Sequence, residues 1–223
     1  MSQNSLFDKV INCAELINSK FVQSGELESV YQTELLDDKE YSSMRYRRAH
    51  ISTIDARETK KLYLLHVTVF PHLNDPSPIF GFDIVCGPTK VSGAFHDYSI
   101  AGDKSSPMWL WFNAKVAMEE WNKPRELPEW GKQIFSPAMV AIGAVGEEEL
   151  DKFIQLGLET LDFYLSNVGF GQQDIATYEM AQNRYCRYQK QNPRTSASLQ
   201  HLGFTEEEAN NYVRTKLFPE VIV

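Results

Sequence analysis

The gaps between four strand-like segments constrain this chain more than any other feature of its sequence. Residues 42–55, 61–70, 80–86 and 90–98 read as strands, with β-branched and aromatic content highest over 61–70. The breaks between them are Asp55–Lys60, Pro71–Pro78 and Gly87–Lys90. Breaks this short make hairpins, because parallel neighbours need a crossover of about a dozen residues or more. The expectation is an antiparallel meander. Helical spacing surrounds it. Leu6, Val10, Ala14, Ile17 and Phe21 form one stripe over 5–22 with Ser5 as N-cap, and Leu150, Phe153, Ile154, Leu158, Leu161 and Leu165 form another over 147–167. Further helices are expected over 105–122 and 172–191, the latter ended by Pro193, and a short strand over 138–144. Residues 124–137, with three prolines, read as an irregular loop. Thr205 with Glu208 makes a capping box for a last helix, and Gly203 suits the C′ position of the helix before it. One helix, a run of strands, then mostly helices is an α+β pattern with helices covering an antiparallel sheet.

Composition narrows the function. The chain has 223 residues and a net charge of −8, from 22 Lys+Arg against 30 Asp+Glu. That acidity argues against broad nucleic-acid binding, which needs a basic footprint. No apolar run reaches membrane-span length, and MSQNSLFDKVINCAEL carries no basic region leading into an apolar one. The expectation is a cytoplasmic monomer without nucleic-acid or membrane partners. Cys13, Cys86 and Cys186 are odd in number and fit neither a CxxC nor a zinc spacing, so reduced thiols and no metal site are expected. No repeat or linker divides residues 1–223, which read as one domain.

The chemistry concentrates in LYLLHVTVFPHLNDPSPIFGFDIVCGP. If Pro71–Pro78 is a hairpin loop, its midpoint lies between Asn74 and Asp75, and His66 stands as far before it as Asp83 after it. The two are then directly opposed on one sheet face, with Cβ atoms ~5 Å apart. A one-residue slip would separate them. A histidine and a carboxylate within apolar strands are expensive to bury, and such a pair suits proton transfer near neutral pH. The alternative is a buried pair that only satisfies itself. His96 and Asp97 are adjacent, hence on opposite faces, and read as a rim or edge position. His50 and Ser52 share one strand face. Arg45, Arg47 and Arg48 with Lys60–Lys61 form the dense basic run, read as a solvated face or a docking patch.

Four segments then carry a resemblance. FPHLNDPSPIFGFDIVCGP, VSGAFHDYS, RELPEWGKQIFS and YCRYQKQNPRTSASL resemble, in order and with small indels, the ferredoxin-dependent bilin reductases, most closely the phycocyanobilin:ferredoxin oxidoreductase branch. The resemblance implies a three-layer α/β/α sandwich whose central antiparallel β-sheet is flanked by helices on both faces, with a bilin between the sheet and the C-terminal helices. It implies reduction of biliverdin IXα by single electrons from the 2Fe–2S cluster of ferredoxin, through bilin radicals, with no metal or flavin held by the enzyme. The family's catalytic histidine and aspartate fall on His66 and Asp83. Asn192, Gln189 and Arg194 match pocket positions, with Arg194 in place of the branch's lysine and able to pair a propionate.

One departure bears on the product. The branch carries His-x-Glu where this chain has His50-Ile51-Ser52, and its glutamate serves reduction of the D-ring vinyl group. A serine hydroxyl does not supply a proton at neutral pH as a carboxylic acid does. The same loss is seen in a resembling phage offshoot of the branch that makes phycoerythrobilin through 15,16-dihydrobiliverdin. That is the expected reaction; reduction to phycocyanobilin, or a non-catalytic bilin carrier, are the alternatives. A docking patch for acidic ferredoxin is expected at Arg45–Arg48, Lys60–Lys61, Arg184, Arg187 and Lys190.

Overall fold

A computed structural model describes residues 5–102, 104–173 and 177–222. Its centre is a seven-stranded antiparallel sheet whose strands lie side by side in chain order. They are β1 (Glu26–Gln32), β2 (Leu36–Ser42), β3 (Tyr46–Ala56), β4 (Leu62–Pro71), β5 (Ile79–Cys86), β6 (Val91–Ser99) and β7 (Val140–Ile142). Helices α1 (Leu6–Ser24), α2 (Pro107–Val116) and α3 (Glu147–Asn167) cover one face. Helices α4 (Glu179–Gln189), α5 (Pro193–His201) and α6 (Glu206–Tyr212) cover the other, and a π-helical turn, Val213–Leu217, continues α6. The fold is the expected α+β sandwich. No helix among the described residues is long and apolar enough to cross a membrane.

Alternation along each strand divides the sheet into two unlike faces. Val67, Val69, Phe80, Phe82, Ile84 and Tyr98 point toward α1–α3 and are closed from solvent. Gly157 of α3 lets Phe82 pass beneath the helix, since a Cβ there would lie 2.2 Å from the Phe82 ring. The opposite face holds Leu36, Ile54, Ala56 and Phe70 at its edges, packed on Tyr185, Leu199 and Tyr212 of the C-terminal helices. Between those edges lie Ser52, His66, Asp83 and Asp97 among Leu64, Val85 and Phe95, and the helices stand off to leave a cavity.

Several expected boundaries move. The strand expected over 42–55 is the end of β2, a turn, and β3. β1 gave no strand signal because none of its residues is buried, so alternation had nothing to act on. The helix expected over 105–122 stops at Val116, and the strand expected over 138–144 contracts to β7. Within 172–191 the helix begins at Glu179; residues 174–176 lie outside the described residues. Pro193 does not merely end α4. It opens α5 at N1, with Asn192 as N-cap accepting from the Arg194 amide at 3.1 Å. The Thr205–Glu208 capping box and the Gly203 turn (φ +105°) form as expected.

Candidate active site

A row of directly opposed residues crosses five strands: Asp38, Ser52, His66, Asp83 and Phe95. A second row beside it runs Glu40, His50, Thr68, Gly81 and Asp97. Both rows face the C-terminal helices. Ionisable side chains on a covered sheet face each need a partner, because an unpaired one is costly to bury.

The hairpin register is the one expected. His66 pairs with Asp83, and His66 Nδ1 is hydrogen-bonded to Asp83 Oδ1. The two side chains remain 16% and 35% exposed, so the pair opens into a cavity rather than being sealed. His66 Nε2 has no hydrogen-bond partner among the described residues, and Phe218, delivered by the π-helical turn, sets its ring edge-on at 5.5 Å. The cavity measures about 880 Å³ and lies between the sheet, the 124–137 loop, α4, α5 and the segment after α6. That volume is within the ~300–1,000 Å³ of small-molecule sites.

Ser52, Gln189, Asn192 and Arg194 all line this cavity with His66 and Asp83. The Gln189 amide donates to the Tyr185 hydroxyl at 2.8 Å. Capping uses the Asn192 side-chain oxygen, which leaves its NH₂ as the end that can serve a ligand. Arg194 is exposed at the rim. Arg125 also lines the wall, with its guanidinium over the Phe95 ring at 5.9 Å. Gly143 makes room for it, because a Cβ there would lie 2.2 Å from Arg125 Nε. The sequence signal for Arg125 is the RELP segment, read as an irregular loop and as part of the family resemblance but with no site role for its arginine.

His50 is placed differently from expectation. It is fully buried, does not line the cavity, and its Nε2 lies 2.9 Å from Asp38 Oδ1. Burial lowers the His50 imidazole to about 4, keeping it neutral. Burial alone would raise the Asp38 carboxyl, but the bonds from His50 and Tyr212 and the charge of Lys216 together hold it below its ordinary value. Asp38 is therefore a buried carboxylate. Asp38, Glu40 and His50 offer three ligand atoms within 4.8 Å of one another. A cation there would have to displace Arg48, 3.0 Å from Glu40, and the His50 and Tyr212 bonds to Asp38.

His96 and Asp97 are no rim pair; β6 lies between β5 and β7 and both side chains are buried. His96 faces α3, donating from Nδ1 to the Gly81 carbonyl at 2.7 Å. Asp97 faces the cavity side and ties down the 124–137 loop, accepting from the Ser136 amide at 2.9 Å and the Ser99 hydroxyl at 2.7 Å. The Ser136 hydroxyl bonds its other oxygen. Burial pushes the Asp97 carboxyl up to about 6, although these bonds pull the other way.

The expected basic patch is broken up. Arg48 is buried against Glu40 and the Lys216 carbonyl, and Arg47 bonds Gln182 at 2.7 Å while lying over Phe70. Arg45 and Lys60 sit beyond opposite ends of the 11-residue β3, some ~35 Å apart at strand rise. Arg187 and Lys190 are paired with Glu220. All three cysteines are buried free thiols, pushed up to about 12 for Cys13 and about 11 for Cys86 and Cys186 by burial.

Comparison with known proteins agrees with this geometry. The family model described as ferredoxin-dependent bilin reductase matches residues 17–219. A phycocyanobilin:ferredoxin oxidoreductase of Trichodesmium erythraeum is 30% identical over 191 residues, covering 82% of this chain and 76% of that protein. Another from Prochlorococcus marinus is 31% identical over 204 residues, covering 88% and 75%. Among solved structures, PcyX superposes with a TM-score of 0.68 at 24% identity, covering 96% of this chain and 99% of that one. Tomato phytochromobilin synthase, solved in complex with biliverdin, gives 0.66 at 14% identity, covering 95% and 82%. The matched span contains both polar rows, and this chain belongs to the ferredoxin-dependent bilin reductases.

Proposed function

We propose that this enzyme reduces biliverdin IXα in the cavity over His66 and Asp83, taking four electrons singly from ferredoxin. Each double bond reduced takes up two electrons and two protons. The first reduction saturates the C15 methine bridge, giving 15,16-dihydrobiliverdin; the second acts on the A-ring diene, giving phycoerythrobilin. The D-ring vinyl group is left intact. An electron added to a neutral π-system in a dry pocket is unsolvated charge, and coupled protonation removes it. Asp83 is the group that gives the proton to the bound bilin, and His66, bonded to it, holds and relays protons at the lactam oxygens. Arg125 and Arg194, two guanidinium groups on the cavity rim, suit the two propionate carboxylates.

The observation that carries the product is Ser52. It lies directly between Asp38 and His66 in the sheet, on the cavity wall, where the branch's glutamate is expected. A second reading, reduction to phycocyanobilin, is favoured by the names of the 30–31% identical relatives. Anaerobic incubation with biliverdin and reduced ferredoxin separates the two. A red product supports phycoerythrobilin and a blue one phycocyanobilin. Binding without turnover would make the chain a carrier and overturn both.

Docking of acidic ferredoxin falls to the cavity mouth. Arg125 and Arg194 are exposed on its lining, and Arg184, outside the lining but 3.4 Å from Gln133 of the 124–137 loop, is exposed as well; none of the three forms an ion pair among the described residues.

A further inference from the structure

Behind Ser52 lies a hydrogen-bond chain that the reaction as proposed does not use. The Ser52 hydroxyl is 2.7 Å from the Tyr212 hydroxyl, and the Tyr212 hydroxyl is 2.5 Å from Asp38 Oδ2. Asp38 Oδ1 takes the bond from His50. All four side chains are buried, and they come from β2, β3 and α6.

The directions in this chain are forced. An ionised carboxylate only accepts, so Tyr212 must donate its single proton to Asp38. The Tyr212 oxygen can then only accept from Ser52, which spends the one proton of the Ser52 hydroxyl. What Ser52 turns to the cavity is a pair of lone pairs. The chemistry is consistent: burial, with Asp38 alongside, raises the Tyr212 hydroxyl well above its ordinary value, so it keeps its proton.

We propose that Asp38 is a positioning residue: through Tyr212 it fixes Ser52 as a hydrogen-bond acceptor, and thereby selects a donor group of the bound tetrapyrrole, a pyrrole or lactam N–H, for that part of the cavity. The carboxylate that position 52 lacks is present one strand away, in the same cross-strand row, but it acts on the ligand's orientation and delivers no proton. This rests on the bilin reading above.

The test is titration of the full-length protein with biliverdin in the dark without reductant, followed by absorbance. Variants are Ser52→Ala, Tyr212→Phe, Asp38→Asn and the double variant Asp38→Asn/Ser52→Ala. Asparagine offers both a donor and an acceptor, so it no longer imposes a direction. Each single change is expected to weaken binding about tenfold and to displace the long-wavelength bilin band in the same direction, with Asp38→Asn adding nothing once Ser52 is alanine. A purely structural role for Asp38 would instead add in the double variant and leave the band in place, and either result overturns the proposal. Tyr212→Phe, which removes one oxygen, decides the matter if Asp38→Asn does not fold. Wild-type protein that fails to bind biliverdin sinks the bilin reading and this proposal together. Wild-type protein that binds and reduces it, with additive variants, sinks this proposal alone.

Discussion

Asp97→Asn should remove a pH slope from the stability of this protein. The Asp97 carboxyl is 2% exposed and raised by burial from 3.8 to about 6. At about pH 3 it is protonated in both folded and unfolded chains and contributes no difference. Between about pH 4 and 6 the unfolded chain has released the proton and the folded one still holds it, so stability falls as pH rises. Above about pH 6 the loss is complete, roughly 3 kcal/mol for a shift of about two units. Asparagine mimics the protonated acid well. With its oxygen at the Oδ2 position it accepts from the Ser136 amide and Ser99, and its NH₂ donates to the Ser136 hydroxyl. The variant should match wild type near pH 3.5 and exceed it by roughly 3 kcal/mol at pH 7, a urea midpoint higher by ~1–2 M for an m-value near 2 kcal/mol/M. Because the quantity is a difference between two proteins, every other titrating group cancels. Urea melts of both proteins from pH 3.5 to 7.5 give the curve directly, and a difference independent of pH would refute the reasoning.

Other perturbations have definite outcomes. Asp83→Asn should leave biliverdin affinity within a few-fold of wild type and lower kcat by ~10²–10⁴, since the amide keeps the shape but gives no proton; unchanged turnover would remove Asp83 from the reaction. Gly157→Ala places a Cβ 2.2 Å from the Phe82 ring, which is stacked on Phe153 at 4.9 Å. Overpacking of ~1–3 kcal/mol exceeds the ~1 kcal/mol that alanine gains in a helix, so Tm should fall by several degrees rather than rise. Arg184→Glu should raise the KM for ferredoxin and flatten its dependence on salt; a KM unaffected by both the change and ionic strength would place docking elsewhere. Ser52→Glu should divert the product toward vinyl reduction, and an unaltered product spectrum would remove position 52 as its determinant.

The legible parts of this structure were those governed by local rules. The His66–Asp83 opposition followed from the length of one hairpin loop, the α1 start from Ser5 as N-cap, and the α6 start from the Thr205–Glu208 capping box. Ser52, Gln189, Asn192 and Arg194 came from resemblance and do converge on one cavity. Asp38 was invisible because the strand expected at 42–55 leaves residues 36–41 unassigned, and a carboxylate in LDDKEYS reads as solvent-facing until its cross-strand partner is known. Tyr212 was missed for a related reason: its partners lie 160 and 174 residues away. Asp97 reads as a rim residue because a strand at 138–144 is legible but its pairing with β6, more than 40 residues back in the chain, is not. Arg47 and Arg48 show that a dense basic run in a strand is no guide to surface charge when aromatic and carboxylate partners stand beside it.

The chain-order sheet also sets the sequence of assembly. Each strand from β1 to β6 meets its neighbour as soon as the next one is made, so the meander and its α1–α3 backing can form during synthesis. The helices over the polar face all follow β7 in the chain. Until they emerge, a nascent chain exposes His66, Asp83 and the ionised Asp38 to water, where charge is cheap. The network is dehydrated only when Tyr212 and Phe218 arrive. The Tyr212 hydroxyl and the Phe218 ring close the site as a finishing step, and a released chain truncated near residue 175 should hold the sheet without holding pigment.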